Sequence, residues 1–228
     1  MSMLRNIKVL MYSALFSITL AILYRIGALR QIFTGSIAML DFDTYYHIVR
    51  DVFAGKSPYE LPYMQTLGPP LVIATFMMFA WLPQTMARAV VTLSGVAAGC
   101  LSTWILSKKV SSKFRVFYWL LLSIMLFSSF PARLSFGLGQ PLFFIVLFVT
   151  VALTASSEKW QGIAVACSAI IKTHLCLMIL AWAKRSWKTC LWFWAAVGVV
   201  VLMLFPVLKP SYYIQYVHKT LAPIMTTQ

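Results

Sequence analysis

Long apolar segments, separated by short basic stretches, are the feature that most limits how this chain can fold. A helix needs about 20 apolar residues to cross the hydrocarbon core of a bilayer. Six segments approach that length, and a seventh, 67–82, is shorter and carries two prolines near its start. The seven segments are 7–24, 67–82, 86–106, 114–130, 141–155, 160–183 and 190–208. We therefore predict an all-α, polytopic integral membrane protein with about seven transmembrane or re-entrant helical segments.

The composition excludes the common soluble classes. Of the 228 residues, 61% are hydrophobic and 11% are charged, whereas about a quarter of the residues in a soluble domain are charged. The net charge of +14 comes from 19 Lys and Arg against 5 Asp and Glu. In so apolar a chain, basic residues set the topology and meet lipid phosphates. We therefore exclude a soluble enzyme, a disordered chain and a nucleic-acid partner.

The chain is predicted to form one helical membrane domain, residues 1–228, because no repeat, low-complexity tract or linker divides it. The apolar run after Lys8 lacks a small-residue cleavage pattern, which favours an uncleaved first helix over a signal peptide. The cysteines lie in apolar segments without a CxxC pair, so we expect neither a disulfide nor a metal cluster. They are Cys100, Cys167, Cys176 and Cys190.

Basic clusters predict the topology. They lie at Arg5 and Lys8, at Lys108, Lys109, Lys113 and Arg115, and at Lys184, Arg185 and Lys188. The positive-inside rule places all three in the cytoplasm, with the loop 27–66 and the tail 209–228 outside. Two apolar segments separate the loop from Lys108, and three separate Arg115 from Lys184. If every segment crossed the membrane, two crossings would place Lys108 outside with the loop. Three crossings would place Lys184 on the side opposite to Arg115.

The parity conflict disappears if one segment in each interval does not cross the membrane simply. Segment 67–82, with its prolines, could be re-entrant, and segment 160–183 could be two short limbs that meet at the outer surface around Lys172. Irregular backbone at membrane depth occurs only where it lines a cavity or is buried in protein. The parity thus predicts a polar cavity open to the outside; the alternative is that the positive-inside bias fails here.

The loop 27–66 contains three of the five acids, at Asp41, Asp43 and Asp51. From Tyr45 the apolar residues recur at helical spacing, which predicts an amphipathic helix in the membrane interface. Its apolar stripe is Tyr45, Ile48, Val49, Val52 and Phe53, and its polar face is His47, Arg50 and Asp51. Asp43 is predicted to cap its start, Gly55 its end, and Asp51 to pair with nearby cations. Asp41 has no such local role, which makes it the candidate general base.

Five motifs, in order, resemble those of GT-C-fold mannosyltransferases that use a polyprenyl-phosphate-mannose donor, the type found in mycobacterial phosphatidylinositol mannoside synthesis. They are Asp41 with Tyr45 four residues later, Gly55-Lys56-Ser57-Pro58-Tyr59, Gly68-Pro69-Pro70, Gly139-Gln140, and Lys172 within an apolar segment. The resemblance covers the seven-helix N-terminal module of that fold. It implies a fragment or a minimal form, which further helices or a partner chain would complete.

The resemblance implies transfer of a sugar, mannose by analogy, from polyprenyl phosphate to an acceptor hydroxyl on a lipid or glycan. Transfer would occur on the extracytoplasmic side of a bacterial inner membrane, with inversion and without a cofactor. Asp41 would take the acceptor proton. Cations would bind the donor phosphate, with Lys172 first, Arg133 second and His174 third.

Other candidates have structural alternatives. Gln140 could hydrogen-bond the sugar or cap the helix opened by Pro141, and Asp43 and Tyr45 are further candidates for substrate binding. The tail tyrosines, Tyr212, Tyr213 and Tyr216, are predicted to be interface anchors.

The competing interpretation of the whole chain is a non-catalytic membrane component, such as the substrate-binding subunit of a small-molecule importer or a lipid-handling scaffold. A transferase needs the acid-tipped outer helix, and an importer subunit does not.

Overall fold

The computed structural model describes residues 2–59, 68–184 and 186–221, with the backbone alone for 2–5, 220 and 221. These residues form twelve α-helices and no strand. The helices are α1 Ser2–Arg25, α2 Ala28–Thr34, α3 Leu40–Phe53, α4 Pro70–Met77, α5 Gln84–Ser107, α6 Arg115–Ser128, α7 Phe130–Leu138, α8 Leu142–Thr154, α9 Glu158–Ile171, α10 Met178–Ala183, α11 Trp187–Leu204 and α12 Pro210–Tyr216. The predicted all-α class is confirmed.

Among the described residues, three helical segments are long and apolar enough to cross a membrane: Asn6–Arg25, Gln84–Ser107 and Trp187–Leu204. A fourth span exists if Ser112–Ser128 and Phe130–Leu138, which meet at an angle of 63°, act together. The apolar helices Leu142–Thr154 and Thr173–Ala183 are shorter. The chain is thus a polytopic membrane protein in which several apolar segments are short or broken.

Both segments that the parity argument singled out are irregular. Helix α4 has 8 residues, which rise only about 12 Å, so it is too short to span; Leu67, the first residue of the predicted segment, lies outside the described residues. Helix α9 ends at Ile171, Lys172 is extended at φ −134° and ψ 105°, and a 3-10 turn over Thr173–Leu177 follows. The helix is therefore broken at Lys172, as one of the two alternatives required, and the position of this break at the outer surface stays a prediction.

The chain packs as two compact units, each built from separate stretches. The first comprises residues up to Asp41 with Thr85–Ala155, and the second comprises Phe42–Gln84 with residues from Ser156 on. No single point in the sequence divides them, and the prediction of one domain stays a prediction.

In the first unit, α1 and α6 lie side by side and their C-terminal ends line one cavity. The rings of Phe127, Phe136 and Phe143 form the centre of its core, with centroids 4.7–6.5 Å apart. Gly99 permits this packing, because a Cβ there would lie 2.8 Å from the Phe127 ring. The start of α5 lies against Gly35, where a Cβ would meet the Thr85 carbonyl oxygen at 2.0 Å.

In the second unit, α9 packs along α11, and α4 contacts both α9 and α12. Gly162 allows the close approach of α9 to α11, because a Cβ at this position would lie 2.4 Å from the Thr189 carbonyl oxygen. Small residues commonly take this role where membrane helices pack closely. The α9–α11 pair therefore holds the segment that leads into Lys172.

Helix α3 is amphipathic, as predicted: Ile48, Val49 and Val52 are buried, while His47 and Arg50 are exposed. Its buried side also includes Phe42, which contacts Phe76 and Phe79 at centroid distances of 6.0 Å, and Tyr46, which donates to the Leu82 carbonyl oxygen at 2.6 Å. The exposed rings of Phe53 and Trp81 lie 5.4 Å apart. Such exposed aromatic residues are typical of a membrane interface.

The ends of α3 test the two predicted caps. The helix begins at Leu40, so Asp43 lies inside it and the prediction that Asp43 is its N-cap is wrong. Gly55 has a left-handed φ of 83°, and the Lys56 N–H donates to the Asp51 carbonyl oxygen at 3.0 Å, which confirms the predicted glycine cap. Asp51 also forms the predicted ion pair, with Lys56 at 2.9 Å.

Candidate active site

Asp41 lies in the first turn of α3 and is half-buried. Its Oδ2 atom accepts a hydrogen bond of 2.8 Å from Gln140 Nε2, across 99 positions of the sequence and within the first unit. A carboxylate in the first turn of a helix is also stabilised by the unpaired backbone N–H groups there. The structure therefore brings together two residues that the sequence analysis had nominated separately.

The backbone around Gly139 places Gln140 at Asp41. Helix α7 is capped at its start by Ser129, whose Oγ accepts from the Ala132 N–H, and it ends at Leu138. Gly139 then turns the chain with a left-handed φ of 74°, and the Gln140 N–H donates to the Ser135 carbonyl oxygen at 2.9 Å.

The Ser135 hydroxyl secures the same turn, because it donates to the Gln140 carbonyl oxygen at 2.7 Å. Both backbone groups of Gln140 are thus held while its side chain reaches Asp41. Helix α8 begins after Pro141 without a side-chain cap, so the alternative that Gln140 caps this helix is wrong.

This arrangement leaves one carboxylate oxygen of Asp41 for chemistry. The Gln140 amide holds Oδ2, and among the described residues Oδ1 has no hydrogen-bond partner. An amide can donate to a carboxylate but cannot exchange a proton with it at ordinary pH, so it orients the group without competing for the proton. Asp41 is therefore positioned to accept a proton through Oδ1.

Asp43 and Tyr45 belong to the second unit and have structural contacts there. Asp43 Oδ1 accepts from Gln84 Nε2 at 3.0 Å. The Tyr45 ring stacks on Phe76 with centroids 4.6 Å apart, and its hydroxyl accepts from the Gly68 N–H at 3.4 Å. These contacts position α3 against the segment that carries Gly68, and a role in substrate binding stays a prediction.

Lys172 and His174 lie in the break between α9 and α10, also in the second unit, and both are exposed. Within the described part of the chain, neither side chain has a hydrogen bond or ion pair. Arg133 lies in the first unit, is exposed, and donates from Nη2 to the Ser128 carbonyl oxygen at 3.3 Å. Within the described ranges, no three His, Cys, Asp or Glu residues form a group that could hold a metal ion.

The sequence analysis missed the role of the tail, which packs on the Gly55–Tyr59 motif. The Ser57 hydroxyl donates to Gln215, the Tyr59 ring lies 5.7 Å from that of Tyr216, and Lys219 Nζ donates to the Tyr59 carbonyl oxygen at 3.3 Å. The predicted anchor role is wrong for Tyr212, which is 3% exposed and donates to the Lys56 carbonyl oxygen at 3.3 Å.

The Tyr59 phenol is neutral in this packing. Burial raises its pKa well above the ordinary value, and nearby tyrosines, Tyr216 first, add to the effect. The hydroxyl donates to the Gly68 carbonyl oxygen at 3.2 Å. Two tyrosines, Tyr45 and Tyr59, therefore hold both backbone groups of Gly68, directly before the two prolines that open α4.

We expect Gly139→Ala to destabilise the protein by about 1–2 kcal/mol, because alanine is strained in the left-handed conformation that turns the chain towards Gln140. Gly137→Ala is the matched control, since it lies within α7 with nothing within 4 Å of an added Cβ, and it should leave stability unchanged or raise it by up to ~1 kcal/mol. Unfolding of the purified proteins in detergent measures both. Equal stability of the two variants would show that the turn does not depend on Gly139.

Comparison with known proteins identifies the family. The model of glycosyltransferase family 87 matches residues 67–227, a region that includes Arg133, Gln140, Lys172 and His174 and begins after Asp41. No curated protein and no solved structure matches the chain. The family match supports the predicted reaction class, a membrane glycosyltransferase, and leaves the sugar and its donor as predictions. Because the match covers more than half of the sequence, the chain belongs to glycosyltransferase family 87.

Proposed function

We propose that this membrane glycosyltransferase moves a sugar, mannose by resemblance, from a polyprenyl-phosphate donor to an acceptor hydroxyl on the extracytoplasmic side. The observation that carries the proposal is the Asp41 carboxylate, held by Gln140 through one oxygen with the other unpartnered among the described residues. The first unit contains no other acid. Its one carboxylate, oriented by Gln140, supports a base at this position, and a non-catalytic component would not need this arrangement.

The proposed reaction is a single displacement. The acceptor oxygen attacks the anomeric carbon from the face opposite the phosphate, so the new C–O bond forms as the bond to the phosphate oxygen breaks. The phosphate leaves with the bonding electron pair, and the acceptor proton passes to Asp41 Oδ1. Attack from the opposite face inverts the configuration of the sugar.

The leaving phosphate needs a cation, and Lys172 is the proposed partner. An ammonium within an apolar segment is costly, and in membrane proteins such groups usually serve a function. The break after α9 supports this role, because extended backbone at Lys172 is expected only where it lines a cavity or is buried in protein. His174 lies in the same break and is a secondary candidate.

The first unit supports an outer active site. Because the C-terminal ends of α1 and α6 line the same cavity, their basic starts, with Lys8 and Arg115, lie at the same end of the unit. The positive-inside rule assigns that end to the cytoplasm. The chain that follows α1, including Asp41, then begins at the outer surface.

We expect Asp41→Asn to lower sugar transfer by about 10²–10⁴-fold, the contribution typical of a general base, with donor binding retained. Asp51→Asn is the matched control on the same helix: its ion pair with Lys56 is solvent-exposed and typically worth at most ~1 kcal/mol. The measurement is the release of polyprenyl phosphate from labelled polyprenyl-phosphate mannose in proteoliposomes. Full turnover by Asp41→Asn would contradict the proposed base, and loss in Asp43→Asn alone would transfer the role to Asp43.

For Lys172→Met, we expect normal or improved insertion, because removing an intramembrane ammonium saves about 2.5–3.5 kcal/mol on insertion scales. Donor binding should weaken at least ~10-fold, since a hydrogen bond to a charged group contributes about 1.5–3 kcal/mol. Lys188→Met removes the same charge from the exposed start of α11 and serves as control. Equilibrium binding of labelled donor separates the two variants, and equal affinities would remove Lys172 from the phosphate site.

A further inference from the structure

A cavity in the first unit is lined by two arginines, neither of which forms an ion pair within the described part of the chain. It has a volume of about 310 Å³ and is bounded by Ile22, Arg25, Ile26, Ser128 and Arg133. The Arg133 guanidinium is held at its edge by the hydrogen bond to the Ser128 carbonyl oxygen. Among the described residues Arg25 has no hydrogen-bond or ion-pair partner.

The charge of this cavity favours an anion as its ligand. Asp41 is the only acid in the sequence of the first unit, and its described hydrogen bond is to Gln140. Both arginines are exposed at the cavity, and an anion that lies between them would be attracted by both positive charges. Each planar guanidinium can donate two parallel N–H hydrogen bonds to the oxygens of a phosphate.

The position of the cavity suggests the source of that anion. Arg25 is the last residue of the candidate span Asn6–Arg25, whose 20 residues rise about 30 Å, the thickness of the hydrocarbon core. Arg25 therefore lies at the level of lipid headgroups. Ile22 and Ile26 give the same cavity an apolar side, which suits the glycerol and first methylene groups of a phospholipid.

The cavity lies at the opposite end of α7 from Gln140. Arg133 is near the start of this helix and its side chain reaches back to Ser128, whereas Gln140 follows the end of the helix. The five steps from Arg133 to the end of α7 at Leu138 rise about 7–8 Å along the helix axis. Arg133 and Gln140 therefore lie towards different ends of α7, and the competition experiment decides whether the phosphate bound by the arginines is that of the donor.

We propose that Arg25 and Arg133 form a binding site for the phosphate of an anionic membrane phospholipid, separate from the site at Asp41. This site does not depend on the proposed transfer reaction, and in it Arg133 binds the phospholipid phosphate in place of the donor phosphate. The sequence analysis considered Arg133 alone; the cavity adds Arg25 as its partner.

The test is lipid binding to the purified full chain, measured by native mass spectrometry with phosphatidylglycerol and, for comparison, zwitterionic phosphatidylcholine. The double variant Arg25→Gln/Arg133→Gln should lose at least ~10-fold of the preference for phosphatidylglycerol, as expected for the loss of charged hydrogen bonds. The control Arg30→Gln/Arg50→Gln removes the same charge from two exposed arginines outside the cavity. It should keep the preference.

Competition identifies the source of the phosphate. Neither inorganic phosphate nor polyprenyl phosphate, at concentrations equal to the phospholipid, should displace phosphatidylglycerol from the native protein. Displacement by inorganic phosphate would identify a free-anion site, and displacement by polyprenyl phosphate at much lower concentration would make the arginines part of the donor site; either result overturns the proposal. Equal loss of preference in the control variant would also overturn it, because the effect would then be one of net charge.

Discussion

One hydrogen bond, from the Gln140 amide to the Asp41 carboxylate, underlies the proposed chemistry of this protein. A carboxylate removed from water is stable only when it is paired or hydrogen-bonded, and Asp41 is half-buried with Gln140 as its described side-chain partner. A neutral amide stabilises the carboxylate without neutralising it, which leaves a charged group with one oxygen open for proton transfer. That amide is positioned at Asp41 by the left-handed turn at Gly139 and by the two hydrogen bonds of the Gln140 backbone.

Membrane physics explains why the helices that bear the candidate residues are short or interrupted. A continuous helix satisfies all its backbone groups internally, and its interior offers no site for a polar ligand. The chain departs from continuous helix at α4, at the 63° bend between α6 and α7, and at Lys172. Each departure interrupts the regular backbone hydrogen bonding of a helix within an apolar part of the chain. The irregular segments are therefore where a polar reaction in an apolar protein can take place.

Features that depend on local backbone preference, or on the number of apolar segments between basic clusters, could be predicted from the sequence. Hydropathy predicts the helical class, and the Gly55 cap follows from the backbone preference of glycine. The positions of the basic clusters indicate an irregular segment between Arg115 and Lys184, and the charge within segment 160–183 points to Lys172. The predicted cap at Asp43 is wrong, because α3 extends back to Leu40 once Phe42 packs on Phe76 and Phe79. The Gln140–Asp41 contact and the Arg25–Arg133 cavity join distant parts of the chain, and only the tertiary fold shows them.

A double-mutant cycle between Asp41 and Gln140 tests the central claim most directly. The measured quantity is kcat/KM for polyprenyl phosphate release by the native protein, Asp41→Asn, Gln140→Leu and the double variant. If Gln140 acts through Asp41, Gln140→Leu slows the native enzyme but has little further effect on Asp41→Asn, which corresponds to a coupling free energy of about 0.5–3 kcal/mol. Losses that simply multiply would show that the two residues act independently and would contradict the account.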